Sequence, residues 1–186
     1  MFTFHFQLND KDYLEFNKYH LFYSPATKKS MMIRRWASPC LVTAFLLWVI
    51  FTAENAEQPE AMIGAIIISG MFTLFWLLIF KPMHVFSLKM MVKRFKKTGK
   101  LPYGQENELI FEDGFILDRS PNREMKTAYG EIERIVVTNQ IFYIYTNSTQ
   151  AILLPFYAFQ GPQGQSEFLA FLQQKAPAAA IVWHNK

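Results

Sequence analysis

Residues 36–53 read WASPCLVTAFLLWVIFTA and residues 61–80 read AMIGAIIISGMFTLFWLLIF. Neither run contains Asp, Glu, Lys, Arg or His, and only seven residues separate them. A helix must supply about 20 apolar residues to cross a hydrocarbon core about 30 Å thick. Both runs meet that length, so the sequence predicts a transmembrane hairpin over residues 33–80, with soluble segments on either side. A cleaved signal peptide accounts less well for the first run. Substantial sequence precedes it, and its apolar stretch exceeds the roughly 7–15 residues of a signal core.

Charge placement orients the hairpin. Lys28, Lys29, Arg34 and Arg35 precede the first run, and Lys81, Lys89, Lys93, Arg94, Lys96, Lys97 and Lys100 follow the second. The intervening residues 54–60 (ENAEQPE) carry three acids and no base. Basic residues near membrane ends stay cytoplasmic, so both termini are expected on the cytoplasmic side. Trp36, Trp48 and Trp76 lie near run ends, where an indole can sit between lipid and water. Ala61, Ala65 and Ser69 recur every four residues on the second helix, as do Cys40 and Ala44 on the first, and small side chains let helix backbones approach in lipid. The absence of ionisable groups within the runs disfavours a proton relay or ion pathway. With Cys40 the only cysteine, no disulfide can form within the chain.

Residues 81–100 follow as a basic segment. Val85, Leu88, Val92 and Phe95 fall at helical spacing, while Lys89, Lys93, Arg94, Lys96 and Lys97 take other faces, and Gly99 supplies a stop. A basic amphipathic helix beside a membrane span suits an anionic leaflet, so these five bases are the expected membrane-surface residues. The lipid bilayer is thus one expected partner. Nucleic acid is not, because the charge sits where lipid would be.

Beyond residue 100 the pattern changes to short strands. Residues 108–112 and 115–119 flank Asp113-Gly114, a strong hairpin signal. Residues 123–129, 132–138, 141–146 and 149–154 follow, rich in β-branched and aromatic side chains. Six short strands in so little chain point to an antiparallel sandwich or barrel. Ser166 is a candidate N-cap for a helix over residues 167–175, with Phe168, Phe171 and Leu172 on one face. The body of this domain spans residues 101–176, and residues 177–186 read as a mobile tail. Near the amino terminus, Phe2, Phe4, Phe6 and Leu8 alternate as one face of a strand. Asn9 or Asp10 then caps a helix that Pro25 ends. A domain of about 75 residues would bury too little surface to be robust. Residues 1–30 are therefore expected to pack on it, with the first strand joining the carboxy-terminal sheet and the hairpin inserted between the two parts.

Three segments carry a family resemblance: residues 109–115 (LIFEDGF); Tyr129 to Ile132 with Ile135; and Ile152-Leu153-Leu154-Pro155 with Phe159 and the Phe168–Leu172 stretch. In these, and in the order of its elements, the chain resembles the YcxB-like family of bacterial membrane proteins. The family often has a Trp where this chain has Tyr129. The resemblance implies a pleckstrin-homology-like (PH-like) fold, a seven-stranded sandwich closed by a terminal helix. It implies no reaction. The expected fold class is thus an α+β membrane protein, with a two-helix transmembrane hairpin inserted into a discontinuous PH-like antiparallel β-sandwich that ends in a C-terminal helix.

No catalytic pattern stands out. His5, His20, His84 and His184 lack metal-ligand spacing, His20 near Asp12 and Glu15 reads as a surface pair, and Gly161-Pro162-Gln163-Gly164 lacks the Lys-Ser/Thr of a nucleotide loop. No cofactor is expected. Glu106, Glu108, Glu112 and Asp113 read as a solvated acidic edge scattered across strand faces. From residue 101 onward six bases oppose nine acids, a balance that repels anionic headgroups. Arg119, Arg123 and Lys126, which flank one turn, are the candidate exception. The function expected is that of a non-enzymatic membrane protein presenting its cytoplasmic domain to a protein or peptide partner, through a sheet edge or the groove between sheet and helix. The alternative is an immunity-type protein that protects against a membrane-directed toxin.

Overall fold

The computed structural model describes residues 1–52, 59–99, 101–121 and 123–184. In chain order the elements are β1 (Phe2–Gln7), α1 (Asp10–Phe22), α2 (Pro25–Thr52), α3 (Pro59–Thr98), β2 (Glu106–Phe111), β3 (Phe115–Ser120), β4 (Arg123–Ala128), β5 (Arg134–Thr138), β6 (Ile141–Tyr145), β7 (Ala151–Pro155), α4 (Pro162–Lys175) and β8 (Ala180–His184). They form two compact units, one made of residues 1–17 with 94–186 and one of residues 18–93.

The first unit is an α+β sandwich of two four-stranded sheets, ordered β1-β2-β3-β4 and β7-β6-β5-β8. β1 pairs antiparallel with β2 along its whole length, Phe2 opposite Phe111 and Gln7 opposite Glu106. The inward side chains of β1, Phe4 and Phe6, therefore join a core with Leu109, Phe111, Ile116, Ile135, Phe142, Ile144 and Leu154. Phe168 of α4 fills its centre, wholly buried, with the rings of Phe2, Phe4, Phe111, Phe142 and Phe159 at 5.4, 5.3, 4.7, 5.6 and 5.4 Å. The expected groove between sheet and helix is thus packed shut. The middle of the second sheet's outer face is buried too: Val136, Tyr143 and Tyr145 are inaccessible, whereas Val182 of β8 beside Val136 is exposed, and Phe16 lies 5.3 Å from the Tyr143 ring.

Several local expectations are corrected. α4 begins at Pro162 rather than after Ser166. Gly161, at φ 91°, turns the chain into it, and Pro162 supplies a preset φ at a position that needs no N–H. Residues 180–184 are not a tail: they pair in parallel with β5, Ile181 beside Ile135 and Trp183 beside Val137. Among the described residues the sandwich therefore has eight strands, and β8 follows α4. Asn185 and Lys186 lie outside the described residues, as does Asn122 in the expected turn before residue 123. Asp12 does not lie at the surface. It is buried, accepts the Asn9 N–H at 3.1 Å and lies 2.7 Å from the Tyr157 hydroxyl, which donates to it. Asn9 is the cap, its Oδ1 accepting the Lys11 and Asp12 N–H groups at 2.8 and 3.1 Å.

In the second unit, Pro25 does not merely end α1; it opens α2, with Ser24 accepting the Lys28 N–H at 2.9 Å. The second apolar run and the basic segment form one helix of 40 residues that continues through Pro82, and Gly99 ends it with φ 66°. Both α2 and α3 are long and apolar enough to cross a membrane. Neither is buried in protein: Leu41, Ile66, Met71 and Leu78 are 67–70% exposed. The helices meet where the Thr43 hydroxyl bonds that of Ser69 and the Trp76 indole donates to the Arg35 carbonyl at 2.9 Å. Ala65 and Pro39 are buried. Cys40 and Ala44 instead point outward, because one residue's shift along a helix turns a side chain about 100°. Trp76 belongs to the helix pair, whereas Trp36 and Trp48 are exposed. Residues 53–58, most of the expected acidic loop, lie outside the described residues.

Candidate functional site

Strand alternation gives β1 an outer row of Thr3, His5 and Gln7, and β2 an outer row of Glu106, Glu108 and Ile110. Register then aligns four ionisable side chains across all four strands: His5 opposite Glu108, Glu108 opposite Arg119, and Arg119 opposite Glu124. His5 Nε2 lies 3.6 Å from Glu108 Oε1. Arg119 Nη1 donates to Glu108 Oε2 at 3.0 Å, and its Nε donates to Glu124 Oε2 at 3.2 Å. The hydrogen bond to Glu124, reinforced by the charge of both carboxylates, holds the guanidinium above its ordinary range. Above this ladder opens a groove of about 770 Å³, lined by His5, Gln7, Glu106, Glu108, Arg119 and Ser120. The outer face of this sheet is thus open and charged, whereas the middle of the other sheet's outer face is buried and aromatic. Glu106 and Glu108 share the open face rather than scattering.

The three bases flanking the β3–β4 turn do not converge. Arg119 is held between two carboxylates. Lys126 Nζ sits 5.1 Å over the Phe115 ring. Arg123 stands opposite Ser120 on the other face of β4 and donates to Met125 Sδ at 3.0 Å. A phosphate-like ligand needs convergent donors, and this arrangement does not provide them.

The basic end of α3 keeps its expected pattern. Val92 is buried, Val85, Leu88 and Phe95 are half-buried, and Lys89, Lys93, Arg94, Lys96 and Lys97 are exposed. Lys96 forms an ion pair with Asp10, which also accepts from the Tyr103 hydroxyl at 2.9 Å. The Lys96 bond lowers the Asp10 carboxyl below its usual value. Burial, with Asp10 alongside, pushes the Tyr103 hydroxyl up to about 12. Among the described residues, no three His, Cys, Asp or Glu side chains gather as a metal site would require.

The missed feature is the ladder. Its only sequence trace is the outward parity of His5, Glu108 and Arg119, which acquires meaning once three strand registers are known. The chain is an α+β protein with two long apolar helices between β1 and the remaining strands, its sheets antiparallel except for the parallel β5–β8 pair, and with α4 near the C-terminus. The model of the family described as YcxB-like protein matches residues 110–172, the segment from β2 into α4. Neither the curated proteins nor the solved structures give a match.

Proposed function

We propose that this chain is a membrane-anchored, non-catalytic binding protein whose sandwich presents the open face of the β1–β4 sheet to a protein or peptide partner. The observation that carries this reading is the contrast between the two sheets: the middle of one outer face is covered by aromatic packing, whereas the other carries an open, charge-lined groove. Monomeric folds bury what they can, so an exposed structured concavity is the default place for a ligand. The alternating charges favour a polar, extended protein segment over an anionic lipid.

Anchoring follows from α2 and α3, whose apolar exposure in water would be prohibitive and in lipid is neutral. The bases in the first part of α2, ahead of its apolar run, and those after residue 80 favour both termini on the cytoplasmic side, at the inner membrane of a bacterial cell. Lys89, Lys93, Arg94 and Lys97 lie along the anionic leaflet, each contributing about 1 kcal/mol near the surface. The sandwich is a variant of the PH-like arrangement, with β1 supplied from before the membrane helices and β8 added after α4.

A photocrosslinking side chain at Gln7, in cells, tests the binding reading. A discrete adduct that disappears with Glu108→Lys, and is absent when the probe sits at Leu41, supports it. Equal labelling at both positions overturns it. Alkaline extraction of membranes tests anchoring: release of the chain into the wash counts against it.

A further inference from the structure

We propose that β4 pairs with β4 of a second copy of this chain, antiparallel about a twofold axis at Met125, and joins two four-stranded sheets into one of eight strands. This goes beyond the binding reading, which concerns the groove on the β1 side of the same sheet. It rests on the membrane reading only for its strength.

β4 is an edge strand, with β3 on one side. The direction of its free backbone groups can be worked out from the next hairpin. Glu112 N–H bonds the Phe115 carbonyl at 3.0 Å across the β2–β3 turn. In an antiparallel ladder, hydrogen-bonded and non-bonded pairs alternate. Phe115, Leu117 and Arg119 therefore direct their amides to β2, while Ile116, Asp118 and Ser120 direct theirs to β4. Their partners Thr127, Met125 and Arg123 face back toward β3. The amides of Glu124, Lys126 and Ala128 are left pointing outward, which is the set a new strand would bond.

Charged edges ordinarily repel an incoming strand. This one is self-complementary. A twofold axis at Met125 places Met125 opposite its own copy as a non-bonded pair. Glu124 then stands opposite Lys126 of the second copy, and Lys126 opposite Glu124, as the bonded pairs. Both bonded pairs use the outward amides, and both unite opposite charges on one face. Glu124 already ends the ladder His5–Glu108–Arg119–Glu124, so Lys126 of the second copy continues its alternation of sign across the seam. Opposite charges at facing positions stabilise a strand pair and like charges destabilise it. The remaining edges lack this property: β1 (FTFHFQ), β7 (AILLP) and β8 (AIVWH) carry no acid to set such a register. A contact of one strand is below the size of a stable soluble interface, but confining both copies to one bilayer raises their effective concentration.

The test uses the full chain in liposomes with Cys40→Ser and Met125→Cys. A non-bonded pair brings the two Cα atoms to about 4.5 Å, within disulfide range. Mild oxidation is expected to give a covalent dimer. In this background Glu124→Lys alone, and Lys126→Glu alone, are each expected to cut dimer yield at least fivefold, because like charges then meet. Mixing the two variants restores a heterodimer, since each supplies the charge the other lacks. A Ser166→Cys chain, off the edge, reports random collision. Thermal melting confirms that both charge variants fold. A Met125→Cys yield equal to that of Ser166→Cys, or charge variants that crosslink as well as the parent or fail to recover on mixing, overturns the proposal. Flotation of the same liposomes reports membrane insertion separately, and the Gln7 crosslink reports the groove. Failure of either of those readings is therefore distinguishable from failure of this one.

Discussion

The indole N–H of Trp76 donates to the backbone carbonyl of Arg35 at 2.9 Å, and that carbonyl is the one Pro39 leaves without a donor. In an uninterrupted helix, the N–H of residue 39 would bond the carbonyl of residue 35. Proline has no N–H, so a side chain from α3 takes its place. An unmet carbonyl in a nonpolar medium is costly, and this substitution of donor ties the two helices together at one fixed point. It also explains why Trp76 lies between the helices rather than facing outward as Trp36 and Trp48 do.

Trp76→Phe removes the donor and keeps most of the ring, and is expected to destabilise the helix pair by about 1–2 kcal/mol. In a Pro39→Ala background α2 regains its own N–H, so the same substitution should cost less, by about 1 kcal/mol. Thermal unfolding in detergent of the parent, both single variants and the double variant measures this coupling. Strict additivity would show that the indole does not stand in for the N–H that Pro39 lacks.

The chain places Phe4 and Phe168 at opposite ends of the sequence and 5.3 Å apart in the core. Phe4→Ala is expected to destabilise the sandwich by about 3–5 kcal/mol, as for other buried aromatics. Hydrogen exchange should then accelerate in β2, β3 and α4 as well as in β1. Loss of protection confined to residues 1–8 would mean that β1 is an accessory strand rather than part of the core.

Alkaline stability should respond to Tyr129. Burial, assisted by the nearby charges of Asp113 and Glu112, pushes its hydroxyl from 10.0 up to about 12, and it donates to the Glu112 carbonyl at 2.7 Å. The folded chain holds this proton more tightly than the unfolded chain. The associated stability is therefore full below pH 10 and falls as pH rises toward 12. Tyr129→Phe should lower stability at pH 8 by about 1 kcal/mol and make the decline between pH 10 and 12 shallower. Urea titrations at stepped pH would read both effects. An unchanged alkaline slope would assign the decline to other groups, Tyr103 among them.

Much of this architecture is legible in the residues, for reasons that also mark where legibility ends. The two uncharged runs announce long apolar helices by length alone, and alternation with Asp113-Gly114 reveals β1, β2 and β3. Asn9 is readable as a cap because Asp12 follows three residues later and returns the bond. Proline misleads in both directions: Pro25 and Pro162 open helices, since N1 needs no N–H, while Pro82 sits inside α3. β8 is hidden because a parallel strand gets its partner from a crossover, and nothing local to AIVWH names β5. The ladder from His5 to Glu124 is hidden for the same reason, since it depends on three registers and not on any spacing.

Asp118 is a half-buried acid in the sandwich. It stands on the inner side of β3, between Leu109 and Met125 in register, beside a small cavity of about 110 Å³ also lined by Phe6, Leu8 and Ile152. Burial raises its carboxyl above the usual 3.8, against the opposing pull of Arg123. The folded chain therefore favours the protonated acid. The stability this provides is complete below pH 3.8 and is lost as pH rises through the folded value. At pH 7 the buried charge is a net cost, so Asp118→Asn, which keeps the shape and removes the charge, should raise the unfolding midpoint. That gain should shrink as the pH is lowered and vanish near pH 3.5, where both side chains are neutral. Arg123→Ala should widen the difference at pH 7 by removing the attraction. A midpoint that falls on Asp118→Asn at pH 7, and falls less in acid, would show that Arg123 outweighs burial and that the carboxylate stabilises this end of the sandwich.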